Sequence, residues 1–116
     1  MARVLAGSMS NYSRGANFER QVIKILTMKG YAAIRAAGSH SPADIWATRD
    51  SRLFFIQCKL DGRLSPDEWN KFYKYATENG AEPIMASRPY RGSVAFHHLR
   101  GLKEKGGRQP MEAMEI

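Results

Sequence analysis

The sequence predicts an α/β fold, a mixed five-stranded sheet flanked by helices. Two observations carry this. The apolar periodicity switches along the chain in the order helix, three strands, helix, two strands, and strands that are apolar on both faces need a helix to cover each. The segment 53–60 alternates like a strand, whereas 65–80 opens and closes with the punctuation of a helix.

The elements follow in order. Residues 1–12 are rich in Gly, Ser and Asn and read as a flexible N-terminal arm, in which Met9 offers a second initiator. One domain is expected over 13–100. Ser13 offers an N-cap hydroxyl, Phe18, Val22, Ile25 and Leu26 mark one helical face, and Gly30 is a natural stop, so helix one is expected over 14–29. Strands are expected at 31–35 and 44–48, with a loop over 36–42 between them. A hairpin turn over 49–52 leads to the third strand, 53–60. There the two-residue period sends Phe55, Gln57 and Lys59 one way and Phe54, Ile56, Cys58 and Leu60 the other.

Ser65-Pro66-Asp67-Glu68 combines a hydroxyl cap, a first-turn proline and an acid three positions after the cap. Trp69, Phe72, Tyr73 and Ala76 then recur at helical spacing until Asn79-Gly80. Strands are expected at 84–87 and 93–98, the second near an edge. Residues 101–116 read as a loose C-terminal tail with at most one short helix.

A chain of 116 residues makes one domain, small enough that a partner subunit would help bury apolar surface. No apolar run approaches the roughly 18 residues that span a bilayer, so no membrane role is expected. A single cysteine excludes an internal disulfide and a Cys-rich zinc cage, which points to a reducing, intracellular (cytoplasmic) setting. The formal charge of +7 favours polyanionic partners and binding that weakens with salt.

The chemistry-bearing residues lie in Pro42-Ala43-Asp44-Ile45 and in Gln57-Cys58-Lys59. An acid opening one strand beside a polar-x-Lys triplet on the next can surround a phosphate and a divalent cation. Asp44 is the obvious direct ligand, with the Gln57 side-chain oxygen and the Cys58 backbone carbonyl completing the protein's share. Glu19, from the preceding helix, is placed to hold the ion through a water. Mg²⁺ suits such a site because it binds through one or two carboxylates and keeps several waters. Lys59 is expected to stabilise charge on the reacting phosphate rather than act as a base. Read singly, Asp44 is better explained as a strand cap and Gln57-Cys58-Lys59 as a solvated face. It is their combination on adjacent strands that points to nuclease chemistry.

Gly15-Ala16-Asn17-Phe18-Glu19-Arg20, Arg35-Ala36-Ala37-Gly38-Ser39, Asp44 and Gln57-Cys58-Lys59 occur in an order and spacing that resembles the archaeal-type Holliday junction resolvases, over about residues 13–98. That family sits within the PD-(D/E)XK nuclease superfamily. The resemblance implies a restriction-endonuclease-like fold and a homodimer that binds four-way DNA junctions. It also implies paired nicks made with Mg²⁺, for which Mn²⁺ is expected to substitute. Glu19, Asp44 and Lys59 match the catalytic carboxylates and lysine. Ser39 matches a loop serine at the scissile phosphate, and Arg20 an arginine that binds phosphate or braces the site. Gln57 departs from the family's usual Glu, and the loss of one charge is expected to lower metal affinity without abolishing turnover.

Rival readings are a superfamily nuclease acting on duplex or flap DNA, and a non-catalytic dimer that binds DNA architecture. A phosphate track is expected from Arg14, Arg20, Lys24, Arg35, His40 and Arg63, with Arg49 and Arg52 in the same sequence cluster. Trp69, Phe72, Tyr73 and Ala76 read as core, and Tyr75 as a dimer contact or a DNA-facing ring. His97 and His98 should face opposite sides of a strand and cannot share a metal.

Overall fold

A computed structural model of the chain describes residues 11–36, 41–90 and 92–116. Helix α1 (Asn11–Met28) precedes strands β1 (Ala32–Arg35), β2 (Ile45–Arg49) and β3 (Arg52–Cys58); α2 (Pro66–Glu78) then leads to β4 (Glu82–Ser87), β5 (Ala95–Leu99) and β6 (Met111–Met114). The strands form one sheet in the order β1-β2-β3-β4-β5-β6. Every pairing is antiparallel except β3 with β4, the pair that α2 connects.

The predicted α/β architecture is present, with six strands rather than five among the described residues. The sixth is β6, within the segment expected to be a loose tail with at most one short helix. Met111-Glu112-Ala113-Met114 has neither alternation nor β-branched residues, and its burial is shallow. Pairing with β5 makes it a strand, and Arg100 at the end of β5 forms an ion pair with Glu112. Consequently β5, expected near an edge, lies inside the sheet.

Helix α1 begins at Asn11, ahead of the expected Ser13 cap, which falls within its first turn; local sequence explains several other element ends. Both helices stop at a glycine with positive φ, Gly30 at 90° and Gly80 at 71°. In each case the next residue's N–H reaches back to the last turn, Tyr31 to Leu26 O at 3.0 Å and Ala81 to Ala76 O at 2.9 Å. This satisfies carbonyls that would otherwise lack partners and packs an apolar pair across the cap. The β2–β3 turn uses Asp50 and Ser51 at φ 53° and 63°, the left-handed pair that a two-residue hairpin requires. At the start of α2, Ser65 accepts the Glu68 N–H while Glu68 accepts the Ser65 N–H, the reciprocal capping box that the sequence announces.

The core has two layers, one on each side of the sheet. Helix α1 contributes Phe18, Val22 and Leu26, one stripe at four-residue spacing, to a cluster with Ile45, Phe54, Ile56 and Ile84. Helix α2 contributes Trp69, Phe72 and Ala76, all fully buried, to a cluster with Phe55, Met85 and Leu99. Phe54 and Phe55 thus go to opposite layers, as the alternation predicts. The Trp69 stripe is core. The two histidines also divide as predicted, because His98 pairs with Ile84 and His97 with Met85.

Candidate active site

Glu19, Asp44 and Lys59 come together where β3 leaves the sheet. Asp44 directly precedes β2, and its N–H donates to Ile56 O at 2.8 Å, continuing the β2–β3 ladder. Its Oδ2 accepts the Cys58 N–H at 2.8 Å. The parallel neighbour β4 holds the other side, since the Lys59 N–H donates to Ala86 O at 2.9 Å and the Arg88 N–H to Leu60 O at 3.0 Å. The strand end that carries Gln57, Cys58 and Lys59 is therefore clamped from both flanks.

A cleft of about 440 Å³ opens beside it, lined by Arg14, Gly15, Phe18, Glu19, Cys58, Lys59, Leu60 and Asp61. Helix α1 supplies one wall and the end of β3 the other, so Glu19 and Lys59 share one cavity. Asp44 and Gln57 are not part of that lining. Asp44 adjoins it through Cys58, and the charges of Glu19, Arg35 and Lys59 all act on its carboxyl.

The electrostatics are those of a carboxyl held largely out of water. Asp44 is pushed up from 3.8 to about 6, mainly by burial, while the Cys58 N–H opposes the shift, Glu19 adds to it, and Arg35 and Lys59 oppose it. Burial likewise pushes the Cys58 thiol well up, with Asp44 and then Glu19 adding repulsion, which leaves it no role as a thiolate. Gln57 Oε1 is buried and has no hydrogen-bond partner. A buried amide oxygen without a donor is costly, and a cation is one way to satisfy it.

These observations fit a hard divalent cation. The available donors are all oxygens: Asp44, Glu19, the Gln57 amide and the Cys58 carbonyl. Among the described residues no three His, Cys, Asp or Glu side chains surround a common point. Two carboxylates with neutral oxygens are the donors that an ion keeping several waters would use.

The remaining expected residues divide. Arg35 forms an ion pair with Glu19, Nε to Oε1 at 2.9 Å, so it belongs to the site itself. Arg14 lines the cleft. Arg20 donates to Asn17 Oδ1 at 2.6 Å, and it and Lys24 are exposed on α1. Arg63 is exposed in the connection after β3, where its N–H donates to Asp61 Oδ1. Ser39 and His40 lie outside the described residues.

Two arginines leave the cluster that the sequence suggested. Arg49 donates to Lys29 O at the end of α1 and stacks on Tyr31, while Arg52 forms a two-pronged ion pair with Glu82 at 2.7 Å. Both stand at the hairpin end of β2 and β3, a strand's length from Asp44.

One acid was not anticipated here. Glu68 Oε2 lies 4.0 Å from Lys59 Nζ, while its other oxygen completes the α2 cap. Its sequence signal, an acid at the third helical position, already had a sufficient explanation as a cap.

A family described as archaeal Holliday junction resolvase (Hjc) matches residues 10–111. The chain belongs to this family. The crossover junction endodeoxyribonuclease Hjc of Methanocaldococcus jannaschii is 27% identical over 89 residues, which cover 73% of this chain and 65% of that protein. The match therefore spans just under two thirds of that relative. The solved structure of Archaeoglobus fulgidus Hjc, a Holliday junction resolvase, superposes with a TM-score of 0.62 at 34% identity. It covers 71% of this chain and 74% of that one. The family match takes in α1, α2 and strands β1 to β5.

Proposed function

We propose that the chain is a divalent-metal-dependent endonuclease that resolves four-way DNA junctions by paired nicks. The observation that carries this is the meeting of Glu19 and Lys59 in one cleft beside Asp44, whose carboxyl is raised by burial and held on the Cys58 N–H. The relatives' names supply the substrate class.

Phosphodiester hydrolysis needs a positioned water, neutralisation of the charge building on phosphorus, and departure of the 3′ oxygen. Mg²⁺, or Mn²⁺ in its place, would supply Lewis acidity when bound by Asp44, the Gln57 amide oxygen, the Cys58 carbonyl and Glu19. The Lys59 ammonium stabilises the negative charge of the transition state. Arg35 holds Glu19 in place through its ion pair. Arg14, Arg20, Lys24 and Arg63 offer cations to phosphates around the cleft. Ser39 and His40, expected from the sequence, complete the proposed DNA contacts.

A homodimer matches the near-twofold symmetry of a four-way junction, which must be cut at two related points. Its support is apolar surface. Ile34, Trp46 and Phe55 lie in one row across β1, β2 and β3. Ile34 is 60% and Trp46 36% exposed, and the stack continues from Phe55 to Tyr75 at 5.2 Å. A second copy would bury Ile34 and Trp46, the exposed part of this row.

The test is a synthetic four-way junction, incubated with and without Mg²⁺, with products mapped on all four strands. Paired symmetric nicks are expected, lost in Asp44→Asn and Lys59→Ala while junction binding persists. Full activity in either variant removes the catalytic assignment, preferential cutting of flap or linear duplex changes the substrate, and binding without cleavage makes the protein an architectural binder.

A further inference from the structure

The segment after β5 grips the connection between β3 and α2 at several points. Gln109 Oε1 accepts the Leu64 N–H at 3.2 Å, and its Nε2 donates to Gly62 O at 3.0 Å. Lys103 Nζ donates to Leu64 O at 2.8 Å and lies 3.5 Å from Gln109 Oε1. This bracket is anchored on α2. Asn70 donates to Lys103 O at 3.0 Å and accepts its N–H at 2.8 Å, and the Trp69 indole N–H donates to Gly101 O at 2.8 Å. The gripped connection leads straight to the cleft, because the Gly62 N–H donates to Lys59 O at 2.9 Å. One amide side chain, fifty residues downstream of Lys59, therefore reaches it through a single intervening residue.

We propose that Gln109 is a positioning residue for strand cleavage: with Lys103, it clamps the 60–65 connection and so fixes where Lys59 stands in the cleft. The proposal rests on the nuclease reading and adds to it. Gln109 satisfies a backbone donor and a backbone acceptor in irregular chain, where no strand or helix partner does so. Gln suits this because its amide carries both functions on one rigid plane. Lys59 has a long, flexible stem, so a relaxed turn at Gly62 would let its ammonium sample positions away from the phosphate. Misplacement on the scale of an ångström is enough to slow a reaction markedly.

The experiment compares wild type, Gln109→Leu and Lys103→Met by single-turnover nicking of a saturated four-way junction, junction affinity and amide hydrogen exchange. Gln109→Leu keeps the volume and loses both bonds; Lys103→Met keeps an unbranched stem and loses the bond to Leu64. Nicking is expected to slow roughly tenfold in Gln109→Leu and less in Lys103→Met. Affinity should stay within about twofold, the signature of an interaction that matters in the chemical step. Exchange should accelerate over 61–64 but not in α1. A Gln109→Leu nicking rate within about twofold of wild type overturns the positioning role alone. So does a rate loss matched by equal loss of affinity and faster exchange throughout. A wild type that cuts no DNA removes the nuclease reading and this proposal with it.

Discussion

The carboxylate of Asp44 and the backbone N–H of Cys58 are joined by a 2.8 Å hydrogen bond that ties the entry of β2 to the exit of β3. The bond holds a buried acid in place, but burial outweighs it, and the carboxyl is raised to about 6. The protein keeps a poorly solvated anion at the position where the proposed chemistry needs a ligand.

That acid makes metal-free stability depend on pH with a definite sign. Its folded value, about 6, lies above the ordinary 3.8, so the stabilisation it brings is complete below pH 3.8 and is lost as pH rises through about 6. Asp44→Asn should therefore raise metal-free stability at pH 7.5 by roughly 1–3 kcal/mol, with no gain at pH 4. Urea unfolding at both pH values checks this; equal gains at both would be inconsistent with it.

Metal binding should show the complementary trend. Protons compete for Asp44, so apparent Mg²⁺ affinity should fall roughly tenfold per pH unit below about 6. Calorimetric titrations between pH 5 and pH 8 would show it, and a flat profile would exclude Asp44 as a ligand.

The Arg35–Glu19 pair is partly exposed, and its contribution to folding should be small. Arg35→Gln is expected to change unfolding free energy by less than about 1 kcal/mol. It should nevertheless move the pH midpoint of metal binding upward, because Arg35 lowers the Asp44 pKa. A larger stability loss with an unmoved midpoint would make the pair structural.

Gln57→Glu places a third carboxylate among the proposed ligands. The half-saturating Mg²⁺ concentration for nicking should fall by about one order of magnitude, as expected when ligand charge rises. Metal-free stability should drop, since a buried anion would replace a neutral oxygen that has no partner. An unchanged Mg²⁺ requirement would place Gln57 outside the ligand set.

Ser65→Ala removes the cap of α2 and should cost about 1 kcal/mol in urea unfolding. A neutral result would mean that Pro66 and the buried Trp69 fix the helix start unaided.

Much of this arrangement is written locally. Ser65 to Glu68, Gly30 and Gly80 act on their own neighbours, so their helix boundaries are legible from a few residues. The Phe54/Phe55 alternation follows from pleat geometry, and it correctly divides β3 between two core layers. What escaped depends on distant partners. Residues 111–114 carry helix-favouring Glu and Ala, and become a strand only because β5 offers an edge. Arg49 and Arg52 read as part of a basic cluster until Tyr31 and Glu82 arrive from elsewhere in the chain. Glu19, Asp44 and Lys59 were visible as a pattern, whereas the Lys103–Gln109 grip was not, because polar residues in a Gly-rich stretch carry no periodic signal.

The strands lie side by side in the order in which they occur along the chain. Each new strand can join beside the one made just before it, and the parallel step from β3 to β4 asks for one longer loop closure, across α2. Such short-range connectivity favours rapid folding and suits growth from the N-terminus during synthesis. A nascent chain never has to slip a late strand between two early ones; the sheet advances along a single margin.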